Sequence, residues 1–178
     1  MQQEQLNHRH HRGRTKTYPV CLLAHDIISP MNIGSLFRIA DALGLEKIYL
    51  TGQSITPPNS KLTKTARSCD KVVAYAYTTN PLDVIADLKE ENYRILSLEI
   101  TSQSTPLDKV NISPDDKICL ILGAEKQGVP QQLLDASDEA VHIPMLGTNS
   151  SMNVATACGI ACYQITQNLS PGRADIKE

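Results

Sequence analysis

Aromatic side chains are scarce in this chain, with one Phe, six Tyr and no Trp among 178 residues. A protein that stacks unpaired bases on aromatic platforms has more of them, so any nucleic-acid partner would have to be held through its shape and backbone. No uninterrupted apolar run approaches the roughly 20 residues that span a bilayer. The opening MQQEQLNHRHHRGRTKT contains no apolar stretch of the kind a secretory signal carries, and a cytoplasmic protein with no membrane contact is expected. The five cysteines (Cys21, Cys69, Cys119, Cys158 and Cys162) are odd in number and include no CxxC pair, which argues against both a disulfide framework and a zinc site. They are expected to be reduced, buried small hydrophobes. There is likewise no HExxH, no Walker-type loop and no Cys/His cluster, so no metal is expected.

Excess positive charge is absent too: the formal net charge is −2, which excludes nucleic-acid binding driven by bulk charge. What basic character there is comes in two local patches. Residues 1–17 carry Arg9, Arg12, Arg14 and Lys16 against Glu4, interleaved with His8, His10 and His11. Residues 61–71 carry Lys61, Lys64, Arg67 and Lys71 against Asp70 alone. Both suit local contact with phosphates, or are simply a solvated tail and a solvated helix face. The division expected is a basic arm over residues 1–17, one globular domain over 18–170 and a short tail over 171–178.

Within that domain the pattern alternates. Val20–Ala24, Lys47–Leu50, Val72–Tyr75, Arg94–Leu98, Ile118–Leu122 and Ala140–Ile143 read as strands, several of them apolar enough to be buried on both faces. Ile33, Leu36, Phe37, Ala40 and Leu43 recur at helical spacing until Gly44 stops them. A short basic helix is expected over 60–68 and another over 80–91, with Leu82, Ile85 and Leu88 inward. Beyond Pro130 a brief helix ends near Leu134, and a last helix runs from Ser151 to Leu169. This alternation predicts an α/β fold, a mainly parallel sheet with helices on both faces.

Three polar segments stand at strand ends or helix starts. In Asn32-Ile-Gly-Ser-Leu-Phe-Arg38, residues Gly34, Ser35 and Arg38 share a helix face away from the apolar stripe. Glycine there admits a close neighbour, and Arg38 offers a fork of donors for phosphate. Leu122-Gly-Ala-Glu-Lys-Gln-Gly128 places Glu125 where a dinucleotide fingerprint has glycine. A carboxylate at that point repels pyrophosphate, which disfavours a small Rossmann oxidoreductase. In Ile143-Pro-Met-Leu-Gly-Thr-Asn-Ser-Ser-Met-Asn153, Ser150 or Ser151 is a candidate helix cap. The polar cluster Asn149, Ser150, Ser151 and Asn153 lies between two apolar stretches, as a small-molecule pocket requires.

Together, in this order and spacing, the three segments closely resemble the signature motifs of the SpoU/TrmH-type RNA ribose methyltransferases of the SPOUT superfamily. The resemblance runs from about Tyr18 to Leu169, with weaker echoes at Lys64–Arg67 and Ile95–Leu98. It implies a C-terminal part threaded into a trefoil knot, a homodimer with the active site built across the interface, and S-adenosylmethionine as cofactor. The implied reaction is methyl transfer to a ribose 2′-hydroxyl of RNA. Arg38 would then be the central catalytic residue, with Asn32, Glu125, Ser151 and Asn153 around it. Gly123, Ile143 and Met152, with Met145 beside them, match cofactor-binding positions, and Leu98 and Glu99 would border the same pocket. Met152 departs from the leucine usual at its position, a volume-preserving change. Arg9, Arg12, Arg14, Lys61, Lys64 and Arg67 are the expected RNA contacts. With only the arm outside the domain to recognise RNA, tRNA is favoured over rRNA as substrate. Two other readings keep the fold: a base-directed RNA methyltransferase, and a catalytically silent RNA-binding member, which would be expected to have lost at least one of the polar motif residues.

Overall fold

Strands and α-helices alternate as the hydrophobic pattern predicts except over residues 93–122, where three strands follow one another, and all the pairings between the strands of the sheet are parallel. The computed structural model describes residues 16–169. In chain order the elements are β1 (Tyr18–His25), α1 (Pro30–Leu43), β2 (Leu45–Thr51), α2 (Ser60–Ala66), β3 (Ala74–Thr78), α3 (Pro81–Glu90), β4 (Tyr93–Leu98), β5 (Thr105–Pro106), β6 (Lys117–Leu122), α4 (Gln131–Ala136), β7 (Glu139–His142) and α5 (Val154–Asn168). The seven-stranded sheet has the order β3-β2-β1-β6-β4-β7-β5.

Strand alternation divides the interior into two layers. Val20, Leu22, Ala24, Leu96, Ile118, Leu120 and Leu122 turn to one face and pack with α1, α2 and α5. Cys21, Leu23, Ile95, Cys119 and Ile121 turn to the other and pack with α3 and α4. β1 and β6 lie side by side at the centre, which explains their nearly continuous apolar runs. The cysteines are all free thiols, and burial pushes Cys21 up to about 12 and Cys119 well above its ordinary value.

Ser29 caps α1 by accepting from the Asn32 amide (3.3 Å), with Pro30 in the first turn; Gly44, at φ +67°, ends the helix. α2 crosses α1 at Gly34, where an added Cβ would lie 2.7 Å from both the Leu62 carbonyl oxygen and Thr65 Cβ. Gly34→Ala is therefore expected to push α2 outward and lower stability by about 1–3 kcal/mol. Urea unfolding checks this, and an unchanged midpoint would show that the two helices are free to separate.

Three local expectations are corrected. The third strand begins at Ala74 rather than Val72, because Cys69–Lys71 forms a 3-10 turn that leaves Val72 67% exposed. Leu82 is not inward but 39% exposed, and Val84 takes its place beside Ile85 and Leu88. The last helix begins at Val154, not Ser151. The short edge strand β5 has no period-two signal in the sequence, and its Pro106 is tolerated because only β7 pairs with it.

β7 lies between β4 and β5, which follow one another in the chain, so residues 99–104 must pass the end of β7. Connections of this kind are rare, and sequence pattern gives no sign of them. No helix among the described residues is long and apolar enough to cross a membrane.

Candidate active site

In a parallel sheet every strand delivers its carboxyl end to the same edge, and ligands bind in the crevice there. Each of the three polar segments follows one of these ends. Asn32 lies in the first turn of α1 after β1, Glu125 in the loop after β6, and residues 143–153 between β7 and α5.

The loop after β6 is a tight hairpin. Ala124 and Gly128 exchange backbone hydrogen bonds of 3.1 and 2.9 Å, with Gly128 at φ +69°. An added Cβ on Gly123 would overlap the Gly128 carbonyl and the Val129 nitrogen. Glycine here serves the chain's own backbone approach. From β4, Glu99 clamps the hairpin: its carboxylate accepts from the Val129 and Ile100 amides, each at 2.9 Å.

A hydrogen-bond chain joins the three segments. Asn153 caps α5, its side-chain oxygen accepting from the Ala155 (3.0 Å) and Thr156 (3.2 Å) amides. Its Nδ2 is then the donor to Asn32 Oδ1, at 3.0 Å. Asn32 in turn donates through Nδ2 to Glu125 Oε1, at 2.9 Å, and the Ser29 amide reaches the same oxygen at 3.3 Å. Capping thus fixes which way both amides point and leaves Glu125 Oε2 outside the chain. The expected cap at Ser150 or Ser151 is replaced by Asn153 for this reason: one side chain both ends the loop and reaches across to α1.

Asn32 and Glu125 open onto a cleft of about 790 Å³ lined also by Asp26, Ile28, Ser29, Gln53 and residues 124–127. Asp26, Ser29 and Gln53 were not singled out in the sequence. The only sign of them was polar residues at the ends of β1 and β2.

Of the other expected catalytic residues, Ser151 is exposed in the loop before α5. Arg38 does not line the cleft; it shares the outward face of α1 with Met31 and Ser35, the Ser35 hydroxyl donating to the Met31 carbonyl at 2.9 Å. α2 crosses α1 at Gly34, one helical turn before Arg38, which puts Arg38 toward the α2 side of α1. Lys61, Lys64 and Arg67 are all exposed on and just after α2, next to that face. Arg9, Arg12 and Arg14 lie outside the described residues.

The expected cofactor residues gather on the adjacent strands β6, β4 and β7. Gly123 follows β6, Leu98 ends β4 with Glu99 just after it, and Ile143 follows β7. Leu98, Ile143 and Val154 are half-buried against one apolar core, and Met145 and Met152 are half-buried in the connecting loop. None of these residues is among those lining the cleft; their apolar side chains, with the clamped carboxylate of Glu99 next to Leu98, suit a cationic, phosphate-free ligand better than a dinucleotide.

The fold and this edge define the class: a parallel α/β domain with a cleft at the carboxyl ends of its strands and a hydrogen-bonded Glu-Asn-Asn chain beside it. The chain belongs to the SpoU rRNA Methylase family, whose sequence pattern matches residues 19–163, and the C-terminal knot comes with that family. It is 30% identical over 149 residues to an uncharacterized tRNA/rRNA methyltransferase of Borreliella burgdorferi, covering 84% of this chain and 64% of that protein. It is 28% identical over 142 residues to a 23S rRNA (guanosine-2′-O-)-methyltransferase of Neisseria meningitidis, covering 80% of this chain and 56% of that one. The chain therefore spans 56–64% of the length of these curated relatives. Among solved structures, an AdoMet-bound rRNA methyltransferase from Sinorhizobium meliloti matches with a TM-score of 0.78 at 22% identity, over 85% of this chain and 57% of that chain. A structure described for the 2-OH methylation of C/U34 on tRNA matches with a TM-score of 0.74 at 22% identity, over 85% of this chain and 98% of that chain.

Proposed function

We propose that this protein is an S-adenosylmethionine-dependent RNA methyltransferase acting on a ribose 2′-hydroxyl, with tRNA as the substrate class. The observation that carries the reading is the Glu125–Asn32–Asn153 hydrogen-bond chain, which ties the three family motifs together, with Asn32 and Glu125 lining the cleft. Family membership supports the methyl-transfer chemistry, and the 2′-O relative from Neisseria meningitidis supports ribose over a base nitrogen. The tRNA preference leans on the nearly end-to-end match with a tRNA-associated structure.

Leu98, Glu99, Gly123, Ile143, Met145 and Met152 would hold the cofactor, which supplies a methyl group on a cationic sulfonium. Glu125 accepts the proton of the 2′-hydroxyl through Oε2, while Asn32 holds its other oxygen. Ser151 and Asn153 border the reacting sugar. A guanidinium stays protonated, so Arg38 acts by positioning the adjacent phosphate and stabilising the negative charge that develops on the ribose oxygen. Lys61, Lys64 and Arg67 extend the phosphate contact along α2.

Arg38 completes the site from a second copy of the chain. Met31, Ser35 and Arg38 recur at i, i+4 and i+7 on the open face of α1, where Met31 is exposed, and α5, packed against α1, exposes Ile160 and Tyr163. Apolar residues around a lone arginine on such a face suit a symmetric dimer interface.

The test is transfer of labelled methyl from S-adenosylmethionine to total tRNA and to rRNA, followed by nucleoside digestion. Label in a 2′-O-methylated nucleoside from tRNA is the expected result. Label confined to a methylated base would overturn the ribose assignment, and label in rRNA alone would overturn the substrate class. Cofactor binding with no transfer to RNA of either kind, precursors included, would favour a silent scaffold.

A further inference from the structure

The cleft has a second wall that the methyl-transfer chemistry leaves unused. Asp26 stands on it at φ +55°, a left-handed conformation that non-glycine residues seldom adopt. Its carboxylate is held from behind on both oxygens. The Gln53 amide donates to Oδ1 at 2.7 Å, and His25 Nε2 lies 3.2 Å from Oδ2, an ion pair in the imidazolium form. His25 is itself buried, with Nδ1 3.0 Å from Thr51 Oγ1, and the Thr51 hydroxyl faces the Ala24 carbonyl at 3.4 Å. Gly52 leaves no room for error, since a Cβ there would overlap Asp26 Oδ1. The Asp26 side chain is nonetheless 41% exposed and lines the cleft together with Gln53. The cleft's volume, about 790 Å³, is within the range that takes a nucleotide.

We propose that Asp26, held by His25 and the Gln53 amide, reads the base of the substrate nucleotide, and that the base it selects is guanine. The proposal deepens the RNA-methyltransferase reading and rests on it. An ionised carboxylate only accepts hydrogen bonds. The Watson–Crick edge of guanine offers N1–H and N2–H side by side, a two-point match for its two oxygens. Adenine and cytosine place a bare ring nitrogen beside their amino group, which the carboxylate repels. Uracil offers a single N3–H flanked by two carbonyls. A base seated against Asp26 keeps its ribose in the cleft that Asn32 and Glu125 also line, where the hydroxyl has to be. Enzymes that act on a nucleotide unstacked from its neighbours read its base on this edge.

The test is a titration of the full chain with GMP, IMP, AMP and UMP, followed by the backbone amide resonances in nitrogen-proton NMR spectra. GMP is expected to shift the Gln53 and Asp26 amides and to bind about tenfold tighter than AMP or UMP, the discrimination of one two-point base-edge pair. IMP, which lacks the N2 amino group, falls between. Asp26→Asn keeps the left-handed backbone, since asparagine tolerates it, and is expected to fold, with a lower melting temperature because buried His25 loses its charged partner, while losing the preference for GMP. Gln53→Ala, which keeps the backbone amide, is expected to retain it. Equal binding of all four nucleotides, no shift at Gln53 with any of them, or a GMP preference that survives Asp26→Asn would each overturn the proposal. Because this reads binding, it separates from the methylation assay. Guanine selection without transfer would count against the methyltransferase reading alone, and transfer to a nucleoside other than guanosine would count against this inference alone.

Discussion

Arg38→Ala and Glu125→Gln are each expected to lower methyl transfer by about 10²–10³-fold, and a mixed dimer of the two, if the proposed second copy supplies Arg38, to regain about half of wild-type activity. The single losses are the size expected when one group that stabilises developing charge, or one that accepts the proton, is removed. Recovery follows from where the structure places the two side chains. Glu125 lines the cleft of its own protomer, bound to Asn32 and the Ser29 amide. Arg38 lies on the outward face of α1, away from that cleft. If a second copy supplies Arg38, a mixed dimer has one site with both defects and one with neither, hence the half. Were both residues to act within one protomer, each site of the mixed dimer would carry one defect and activity would stay at the level of the singles. Co-expression with two affinity tags and tandem purification isolates the mixed species. Sedimentation of the wild type and of each single variant checks that dimers form.

Gly123→Ala is expected to abolish cofactor binding and to lower stability by about 3 kcal/mol. The methyl group would overlap main-chain atoms of Gly128 and Val129, which cannot swing aside as a flexible side chain would. To relieve the overlap the hairpin must open, breaking the paired Ala124–Gly128 bonds and drawing the Val129 amide away from Glu99. Glu125 moves with the hairpin, so the bond to Asn32 goes too. Calorimetric titration with S-adenosylmethionine and urea unfolding measure the two effects. Gly147→Ala is the control, because nothing lies within 4 Å of the added group there. A Gly123→Ala variant that binds cofactor normally would mean that the hairpin plays no part in the pocket.

These two substitutions also mark how far the sequence could be read. Asn32, Glu125 and Asn153 were named from their motifs, and the fold brings them together. The sequence did not reveal that Asn153, rather than a serine, caps α5, because Ser150, Ser151 and Asn153 are all good caps and only the position of Asn32 in space distinguishes them. Arg38 was grouped with the same site, yet within one chain it faces elsewhere. Helical spacing gives which residues share a face, and it says nothing of what that face meets. Asp26 and Gln53 went unnoticed since neither belongs to a repeating pattern, and each matters only because β1 and β2 are neighbours whose ends fall together.

By itself the sequence determined the alternation of strands and helices, the two-layered burial of the central strands and the places where helices stop, all of which depend on periodicity and on capping over a few residues. Only the tertiary structure decided the strand order, with β7 inserted between β4 and β5, and the pairing of residues 93 and 121 positions apart in the Glu125–Asn32–Asn153 chain. The physical reason is that local pattern fixes how a segment folds and which face it buries. Which segments become neighbours is set by the packing of whole elements against one another, and no stretch of sequence encodes that alone.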